Sequence, residues 1–394
     1  MKVLYLGVYR DGTGWGSAAQ DYILALDAAD IEVVPRAIKL NNVDAEVPNR
    51  LLELEQNDDS DCDVVIQHIL PHYMDYNGSF DKNIALYVTE TSHCRNTAWP
   101  ERINLMDEAW VPNQDMIQNA VASKICAPIH VIPHACDVSR YQKSYEPLDI
   151  GYIKDKFVFY YIGEVNRRKN IPALIKAFHV EFGIHEDVAL VLKAHLPGKS
   201  VKDSESHLKF MCDGIKDGLK MYPNRSTYHN EVFISQRLTD EDIMRIHKTC
   251  DCFVSTSFGE AWCIPAFDAM AMGNTPICTR NGGPQDFLRG CGWLVDKRAE
   301  PCFGMTETFS EMYVGDENWD GISQSHLMSC MREAFENSKV RKQFSQAGIA
   351  KAYDYSHLAV GLQMKAVLEN KDKALTATHP STIHKHHSIR ELIR

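Results

Sequence analysis

Short β-branched runs alternate with longer amphipathic segments along this chain, and this alternation constrains the fold more than any other feature. Helical stretches such as Ser17–Ala29 and Gln114–Ala122 separate the strand candidates of the first part. Strands that alternate with helices form βαβ units, so the pattern predicts a parallel, doubly wound sheet. The strand candidates are Lys2–Val8, Glu32–Ala37, Asp63–Gln67, Asn83–Thr89, Glu108–Val111 and His130–Pro133.

The alternation stops at a polar stretch, 139–156, and then starts again. Two such blocks in 394 residues predict an α/β protein with two Rossmann-like, doubly wound domains. We place the first domain at 1–148 and the second at 149–345. A C-terminal helix at 346–370 is expected to pack back towards the first domain, and 371–394 to form a flexible tail. The later strand candidates are Phe157–Ile162, Val188–Ala194, Val232–Ile234, Cys252–Ser255, Pro276–Cys278 and Trp293–Val295.

The composition argues against several classes of protein. Lys and Arg number 42 against 53 for Asp and Glu, a net charge of −11, which disfavours nucleic acid as a partner. No run approaches the ~20 apolar residues of a membrane span, so we expect at most peripheral membrane contact. The 12 cysteines include no C-x-x-C spacing, which removes the usual zinc patterns. We therefore expect a cytoplasmic protein with reduced thiols and no metal site.

Two carboxylates lie in a segment that follows a predicted strand. Glu260 is in the loop at the carboxyl end of that strand, where ligands bind in open α/β sheets. Pro265 stands where a helix would begin, and free N–H groups at a helix start favour anionic or hydroxyl-rich ligands. Asp268 falls one turn into this helix. A helix-capping loop with carboxylates placed for the helix dipole is an alternative interpretation of the same residues.

The same segment resembles the signature of the family 4 retaining glycosyltransferases of the GT-B fold. That signature has two acidic residues separated by seven others, then Ala-Met-Ala and a Gly, here Glu260, Asp268 and Gly273. Asn281–Asp286 is similar to the family's Gly-Gly-x-x-Glu loop, and Asp replaces the usual Glu at both Asp268 and Asp286. The resemblance implies two facing domains with a deep cleft, a catalytic Glu260, and donor binding by Ala261, Trp262, Cys263, Ile264 and Asp268, the last at the ribose.

A basic loop follows the first strand of the second domain. Arg offers a planar fork to phosphate oxygens and Lys a point charge, so Arg168 and Lys169 are candidates to neutralise a leaving diphosphate. The loop resembles the family's phosphate-binding loop, although Glu164 stands where many members have Arg. The alternative is a solvated basic loop without a ligand.

The first domain carries a glycine-rich loop and two candidate histidines. Gly14 and Gly16 formally fit a dinucleotide fingerprint, but five residues separate them from the strand and no acidic residue ends the next one. A glycine-rich loop that lets the backbone approach a bound diphosphate or an acceptor is the better interpretation. The loop also resembles the first loop of the family, which implies donor binding by Gly14 and Gly16. His93 follows a strand, and a His here often contacts the transferred sugar in the family; His68 is a rival, and His134 is expected to be structural.

Together these residues predict a retaining hexosyltransferase. It would move a sugar from a UDP-, GDP- or ADP-linked donor to a hydroxyl of a sugar, glycan, lipid or protein acceptor, in glycan biosynthesis. The resemblance implies that neither a metal nor another cofactor is required. Two alternatives stay open: a sugar phosphorylase or synthase-like enzyme on the same fold, and a catalytically inactive nucleotide-sugar binder. Glu164 and the two Asp replacements motivate the second alternative.

Overall fold

The computed structural model describes residues 1–40 and 44–370, and these form two compact units. The first unit contains Met1–Val138, Thr308–Glu317 and the described residues from Tyr353 onward. The second contains Ser139–Glu307 and Asn318–Ala352, so it begins at Ser139 rather than at the predicted residue 149. The predicted flexible tail, 371–394, lies outside the described residues.

The sheet of the first unit has six parallel strands: β1 (Lys2–Gly7), β2 (Glu32–Ala37), β3 (Val64–His68), β4 (Lys82–Leu86), β5 (Glu108–Val111) and β6 (Ile129–Val131). Their order is β2-β1-β3-β4-β5-β6, so the winding reverses between β1 and β3. Every residue of β3 is buried, as expected for a central parallel strand covered on both faces. The helices that accompany these strands are α1 (Gly14–Ala28), α2 (Asn49–Leu54), α3 (Trp99–Ile103) and α4 (Asp115–Ala122).

The second unit has its own six-stranded parallel sheet: β7 (Phe157–Glu164), β8 (Val188–His195), β9 (Glu231–Ile234), β10 (Cys252–Ser255), β11 (Ile277–Thr279) and β12 (Trp293–Val295). The order is β12-β11-β10-β7-β8-β9, and here the winding reverses between β7 and β10. An antiparallel hairpin of β13 (Lys297–Pro301) and β14 (Asn318–Ile322) follows it, which the sequence analysis did not predict. The helices are α5 (Ser139–Gln142), α6 (Ile171–Glu181), α7 (Val201–Leu219), α8 (Asp240–Thr249), α9 (Ile264–Ala271), α10 (Gly282–Phe287), α11 (Gln324–Glu336) and α12 (Ser338–Ala352).

The region predicted as one C-terminal helix, 346–370, contains two. α12 ends at Ala352, and α13 (His357–Leu368) begins after a short 3₁₀ turn, Tyr353–Tyr355. The Ser356 side chain accepts a hydrogen bond from the Ala359 N–H and so caps a new helix start. α13 packs on α1 in the first unit, and a Cβ on Gly361 would lie 1.9 Å from the Ala25 carbonyl oxygen. This close backbone approach explains the glycine.

The prediction of two Rossmann-like, doubly wound units is confirmed. Each unit has its own apolar core, one around Tyr5, Ile66 and Trp110 and the other around Phe159, Leu190 and Val254. The deep cleft implied by the resemblance stays a prediction. In the described part of the chain no helix has the length and apolar character that crossing a membrane requires.

Candidate active site

The charged candidates of the second unit lie at the point where the winding of its sheet reverses. β7 and β10 are parallel neighbours, and the loops after them contain Lys169 and Glu260, respectively. Open α/β sheets bind ligands at this point, beyond the carboxyl ends of the strands. The Phe258 N–H donates to the Arg168 carbonyl at 2.8 Å, and the Thr256 hydroxyl donates to the Asn170 carbonyl at 2.8 Å. The two loops are therefore held together by direct hydrogen bonds.

Glu260 is the centre of a compact charged cluster. The Lys169 ammonium lies 2.6 Å from Oε1 of Glu260, and the Arg168 guanidinium lies 3.5 Å from Oε2. The Ser257 hydroxyl donates to the same Oε1 at 2.6 Å, and Arg168 also donates to the Gly259 carbonyl at 2.6 Å. Glu260 is only 7% exposed. The structure thus brings together three residues that the sequence analysis selected from two separate motifs.

The electrostatics of this cluster favour the ionised carboxylate. Burial alone would raise the pKa of Glu260, but Lys169 and Arg168 outweigh it and hold that pKa below its usual value. A buried carboxylate with two cations has a formal local charge of +1. The cluster can therefore accept further negative charge, as a phosphate group would bring.

The start of α9 lies next to Glu260 in the chain. Cys263 precedes the helix with φ of +66°, a left-handed conformation that is rare for a residue with a side chain. Ala261, Trp262 and Cys263 are all buried, and Pro265 lies in the first helical turn. Such strain persists where the surrounding structure enforces it and is typical of functional loops.

Asp268 has partners of its own, apart from the Glu260 cluster. The Tyr141 hydroxyl donates to Oδ1 of Asp268 at 2.6 Å, and the Arg140 guanidinium lies 3.9 Å from Oδ2. Asp268 is 4% exposed. Tyr141 and Arg140 come from α5, far away in the chain, so no local spacing could have indicated them. Ser257, by contrast, lies three residues before Glu260 and could have been recognised from that spacing.

In the first unit the two rival histidines have different surroundings. His68, at the end of β3, is fully buried, and its Nδ1 lies 2.7 Å from the Tyr5 hydroxyl. The Trp15 indole N–H donates to Nε2 of His68 at 2.5 Å. Burial holds the pKa of His68 well below its usual value, so the ring is neutral. Both ring nitrogens are occupied, which leaves His68 without an atom to offer a ligand.

His93 has one occupied and one available ring nitrogen. It is 5% exposed, and its Nε2 lies 3.1 Å from the Asp316 carbonyl oxygen. Its Nδ1 is buried and has no hydrogen-bond partner in residues 1–40 and 44–370. This difference favours His93 over His68 as a ligand contact. Asp316 is a further residue that the sequence analysis did not select.

The glycines of the first loop lie in the first turn of α1. The Thr13 side chain accepts a hydrogen bond from the Gly16 N–H and caps the helix. A Cβ on Gly16 would lie 1.9 Å from the Asp11 carbonyl oxygen, so packing alone requires glycine there. Gly14 is exposed. The proposed role of both glycines at the donor stays a prediction.

Comparison with known families bears on the second unit. Residues 149–300 match the family model described as Glycosyl transferases group 1. This segment is a group 1 glycosyl transferase domain. The Glu260 cluster and Asp268 lie inside the group 1 domain, whereas His93 lies outside it. With this domain the chain is a glycosyltransferase.

Solved structures resemble the chain over most of its length, and the group 1 domain lies within that span. Sucrose-phosphate synthase from Thermosynechococcus elongatus has a TM-score of 0.63 and 14% identity, over 94% of this chain and 99% of that one. Anabaena HepE in complex with UDP and glucose has a TM-score of 0.61 and 13% identity, over 94% and 100%. An E. coli structure described as trehalose-6-phosphate bound with UDP-2-fluoro glucose has a TM-score of 0.65 and 11% identity, over 94% and 99%. At these identities the likeness shows the shared fold.

Proposed function

We propose that this glycosyltransferase moves a hexosyl group from a nucleotide-diphosphate sugar to an acceptor hydroxyl with retention of configuration, as family 4 enzymes do. The observation that carries the proposal is the cluster of Glu260, Lys169 and Arg168 at the β7–β10 edge. Fixed cations aimed at a leaving group stabilise the charge that develops on it in the transition state. A diphosphate is such a leaving group.

The reaction would proceed as follows. The bond between the anomeric carbon and the diphosphate oxygen breaks, and Lys169 and Arg168 stabilise the oxygens that become more negative. The acceptor hydroxyl attacks the anomeric carbon from the same side, and its proton passes to the departing phosphate. No side-chain nucleophile is needed, and the two cations take the place of a metal ion. Glu260 would bind hydroxyls of the transferred sugar as its ring gains positive charge.

The donor is expected to be linked to UDP, GDP or ADP, with UDP as the first to test. Anabaena HepE is described in complex with UDP-glucose, and the E. coli structure with UDP-2-fluoro glucose. Asp268 would hold the ribose, in competition with the Tyr141 hydroxyl that now bonds to its carboxylate. The acceptor would be a sugar, glycan, lipid or protein, and the enzyme would act in the cytoplasm with at most peripheral membrane contact.

The test combines donor binding with the stereochemistry of the product. UDP-, GDP- and ADP-glucose are first compared by thermal shift, since a ligand at 100 times its Kd should stabilise the chain by about 2.7 kcal/mol. Release of the nucleotide is then followed with a panel of sugar acceptors, and proton NMR identifies the first anomer formed. An axial donor that gives an axial product supports retention. An inverted product, turnover that requires inorganic phosphate as acceptor, or binding without any turnover would overturn the proposal.

A further inference from the structure

The connection between β13 and β14 belongs to the first unit over Thr308–Glu317, although both strands belong to the second. We refer to Thr308–Glu317 as the returning segment. It lies just beyond residues 149–300, the part that matches the group 1 family model. Its Phe309 ring meets the His72 ring edge-on at 5.1 Å, and Met312 packs against the apolar cluster that contains Trp99. The returning segment is thus part of the folded first unit.

The end of the returning segment is held by polar contacts to the chain around His93. The Asp316 carboxylate lies 3.1 Å from the Arg95 guanidinium and accepts a hydrogen bond from the Asn96 amide at 2.7 Å. The Arg95 and Asn96 contacts hold the pKa of Asp316 below its usual value. The Tyr313 hydroxyl donates to Glu90. These contacts fix the position of the Asp316 backbone.

The Asp316 carbonyl determines which ring nitrogen of His93 carries the hydrogen. The Asp316 carbonyl oxygen can only accept, so the Nε2 atom of His93, 3.1 Å away, must carry the hydrogen. In a neutral imidazole the other nitrogen, Nδ1, then carries a lone pair. That atom is buried and has no hydrogen-bond partner in the described residues. A buried acceptor without a donor is costly unless a ligand supplies one.

We propose that Asp316 is a positioning residue for His93: its carbonyl holds the imidazole as the Nε2–H tautomer, so that Nδ1 accepts a hydrogen bond from a sugar hydroxyl. This inference rests on the proposed function, because the hydroxyl is that of a substrate. The Asp316 carboxylate, through Arg95 and Asn96, keeps the carbonyl in place. The returning segment therefore takes part in substrate recognition although it contributes no catalytic residue.

Two variants are designed to weaken the contact between Nε2 of His93 and the Asp316 carbonyl oxygen, each in a different way. Arg95→Ala with Asp316→Ala removes the carboxylate anchor. The second variant replaces 302–317 by Asn-Gly, because Pro301 and Asn318 are paired across the hairpin and a tight turn can join them. Arg102→Ala is the matched control, since Arg102 forms a similarly exposed ion pair with Asp75 in the same unit.

Nitrogen-15 NMR of the full-length, histidine-labelled protein reads the tautomer without any turnover. The signals of His93 among the 17 histidines are assigned by their loss in His93→Gln. We expect the Nε2–H tautomer in the wild type and in Arg102→Ala, and a mixture of tautomers in both weakened variants. A wild-type His93 with its proton on Nδ1, or a tautomer unchanged in both variants, would overturn the inference.

Kinetics connect the tautomer with the substrate. We expect kcat for transfer to fall about 3–10-fold in both variants and in His93→Gln, as for one lost neutral hydrogen bond, with the Kd of the free nucleotide unchanged. Adding His93→Gln to the weakened variants should cause no further loss. Transfer that is unaffected while the tautomer changes would overturn the role of His93 and leave the proposed function intact. A wild type without transfer would overturn the proposed function, and the role in recognition with it, whatever the tautomer.

Discussion

The carboxyl ends of the two sheets have the same topology, but the side chains there differ in charge. In the second unit, the β7–β10 edge carries a buried carboxylate between two cations, Glu260 with Lys169 and Arg168. In the first unit, the equivalent β1–β3 edge is lined mainly by neutral rings, with His68 bonded to Tyr5 and Trp15, and one buried carboxylate, Asp11, lies in the loop after β1. A Rossmann-like sheet supplies a crevice in both cases, but only the side chains decide which ligand it can hold.

The difference indicates a division of work. Charges that are held ready without reorganisation stabilise the charge that develops on a leaving diphosphate. Neutral donors and acceptors suit hydroxyl groups, whose hydrogen bonds carry direction but little charge. The four predictions that follow test whether this contrast between a charged and a neutral edge is functional, beginning with the largest expected effect.

Removing a cation from the charged edge should have the largest effect. Lys169→Ala and Arg168→Ala should each lower kcat about 10²–10³-fold, as for the loss of one preorganised donor to a developing negative charge. Lys202→Ala, at an exposed position on α7 of the same unit, is the matched control and should retain the wild-type rate. Steady-state kinetics with the donor found by thermal shift measures this. Near-native turnover in both variants would mean that the basic loop is only a solvated surface.

The two carboxylates of the second unit's motif, Glu260 and Asp268, should separate into different roles. A hydrogen bond to a charged group contributes about 1.5–3 kcal/mol, or roughly 10–150-fold. Glu260→Gln should lose this in kcat, because its contact strengthens as the sugar gains charge, and Asp268→Asn should lose it in donor Kd. Glu241→Gln, exposed on α8, serves as the control. If both variants weakened only Kd, the division of roles would be wrong, and an unfolded Asp268→Asn would favour a helix-capping role.

A smaller effect should distinguish His93 from His68, the two candidate histidines of the first unit. His93→Ala should lower the transfer rate about 3–10-fold and leave nucleotide binding unchanged, as for one neutral hydrogen bond. His68→Ala should lower the free energy of unfolding, because it leaves Tyr5 and Trp15 without their buried partner. Transfer kinetics, isothermal titration with the free nucleotide and urea unfolding measure the three quantities. A large kinetic effect at His68 with none at His93 would reverse the assignment.

The smallest effect concerns the loss of folding stability at low pH. The two units should behave alike here, because each contains a buried neutral histidine. Burial lowers the pKa of His134 in the first unit to about 3 and that of His247 in the second to about 4. Near and below pH 6.5 these histidines bind a proton in the unfolded chain but stay neutral in the folded one. The free energy of unfolding therefore falls as the pH decreases towards the folded-state pKa. Each histidine should cost about 0.7 kcal/mol between pH 7 and pH 6.

Urea unfolding of His134→Gln and His247→Gln at these two pH values checks the prediction. Each variant should lose less stability between pH 7 and pH 6 than the wild type, whatever its stability at pH 7. A pH dependence equal to that of the wild type in either variant would show that the histidine concerned is not held neutral by burial.

The charged edge could be predicted from the sequence, and the neutral edge could not. Lys169 and Glu260 each follow an apolar run that ends in a polar loop, so the topology of a parallel sheet brings them together. His68 is the last residue of β3 and His93 lies in the chain after β4, and only the partners from distant elements distinguish them. Asp316 had no local signal at all.

The hairpin was missed for a related physical reason. The residues of β13 are mostly exposed and polar, so the strand has none of the apolar alternation that marks a half-buried one. The break between α12 and α13 at 353–355 was also missed, because its signal in the sequence is a single capping serine, Ser356. The alternation of apolar and polar residues in the sequence predicts the sheets well, but it cannot predict single contacts that depend on tertiary structure.

The bond between Trp15 and His68 also gives the first unit an optical reporter. Five of the six tryptophans are buried, and Trp15 alone is partly exposed. Its indole N–H is shared with a neutral imidazole, so its emission depends on whether that bond is intact. Any rearrangement of the first turn of α1 would then change the fluorescence of one residue over a constant background. A fluorimeter could follow this end of the unit during titration with a sugar, without a label and without turnover.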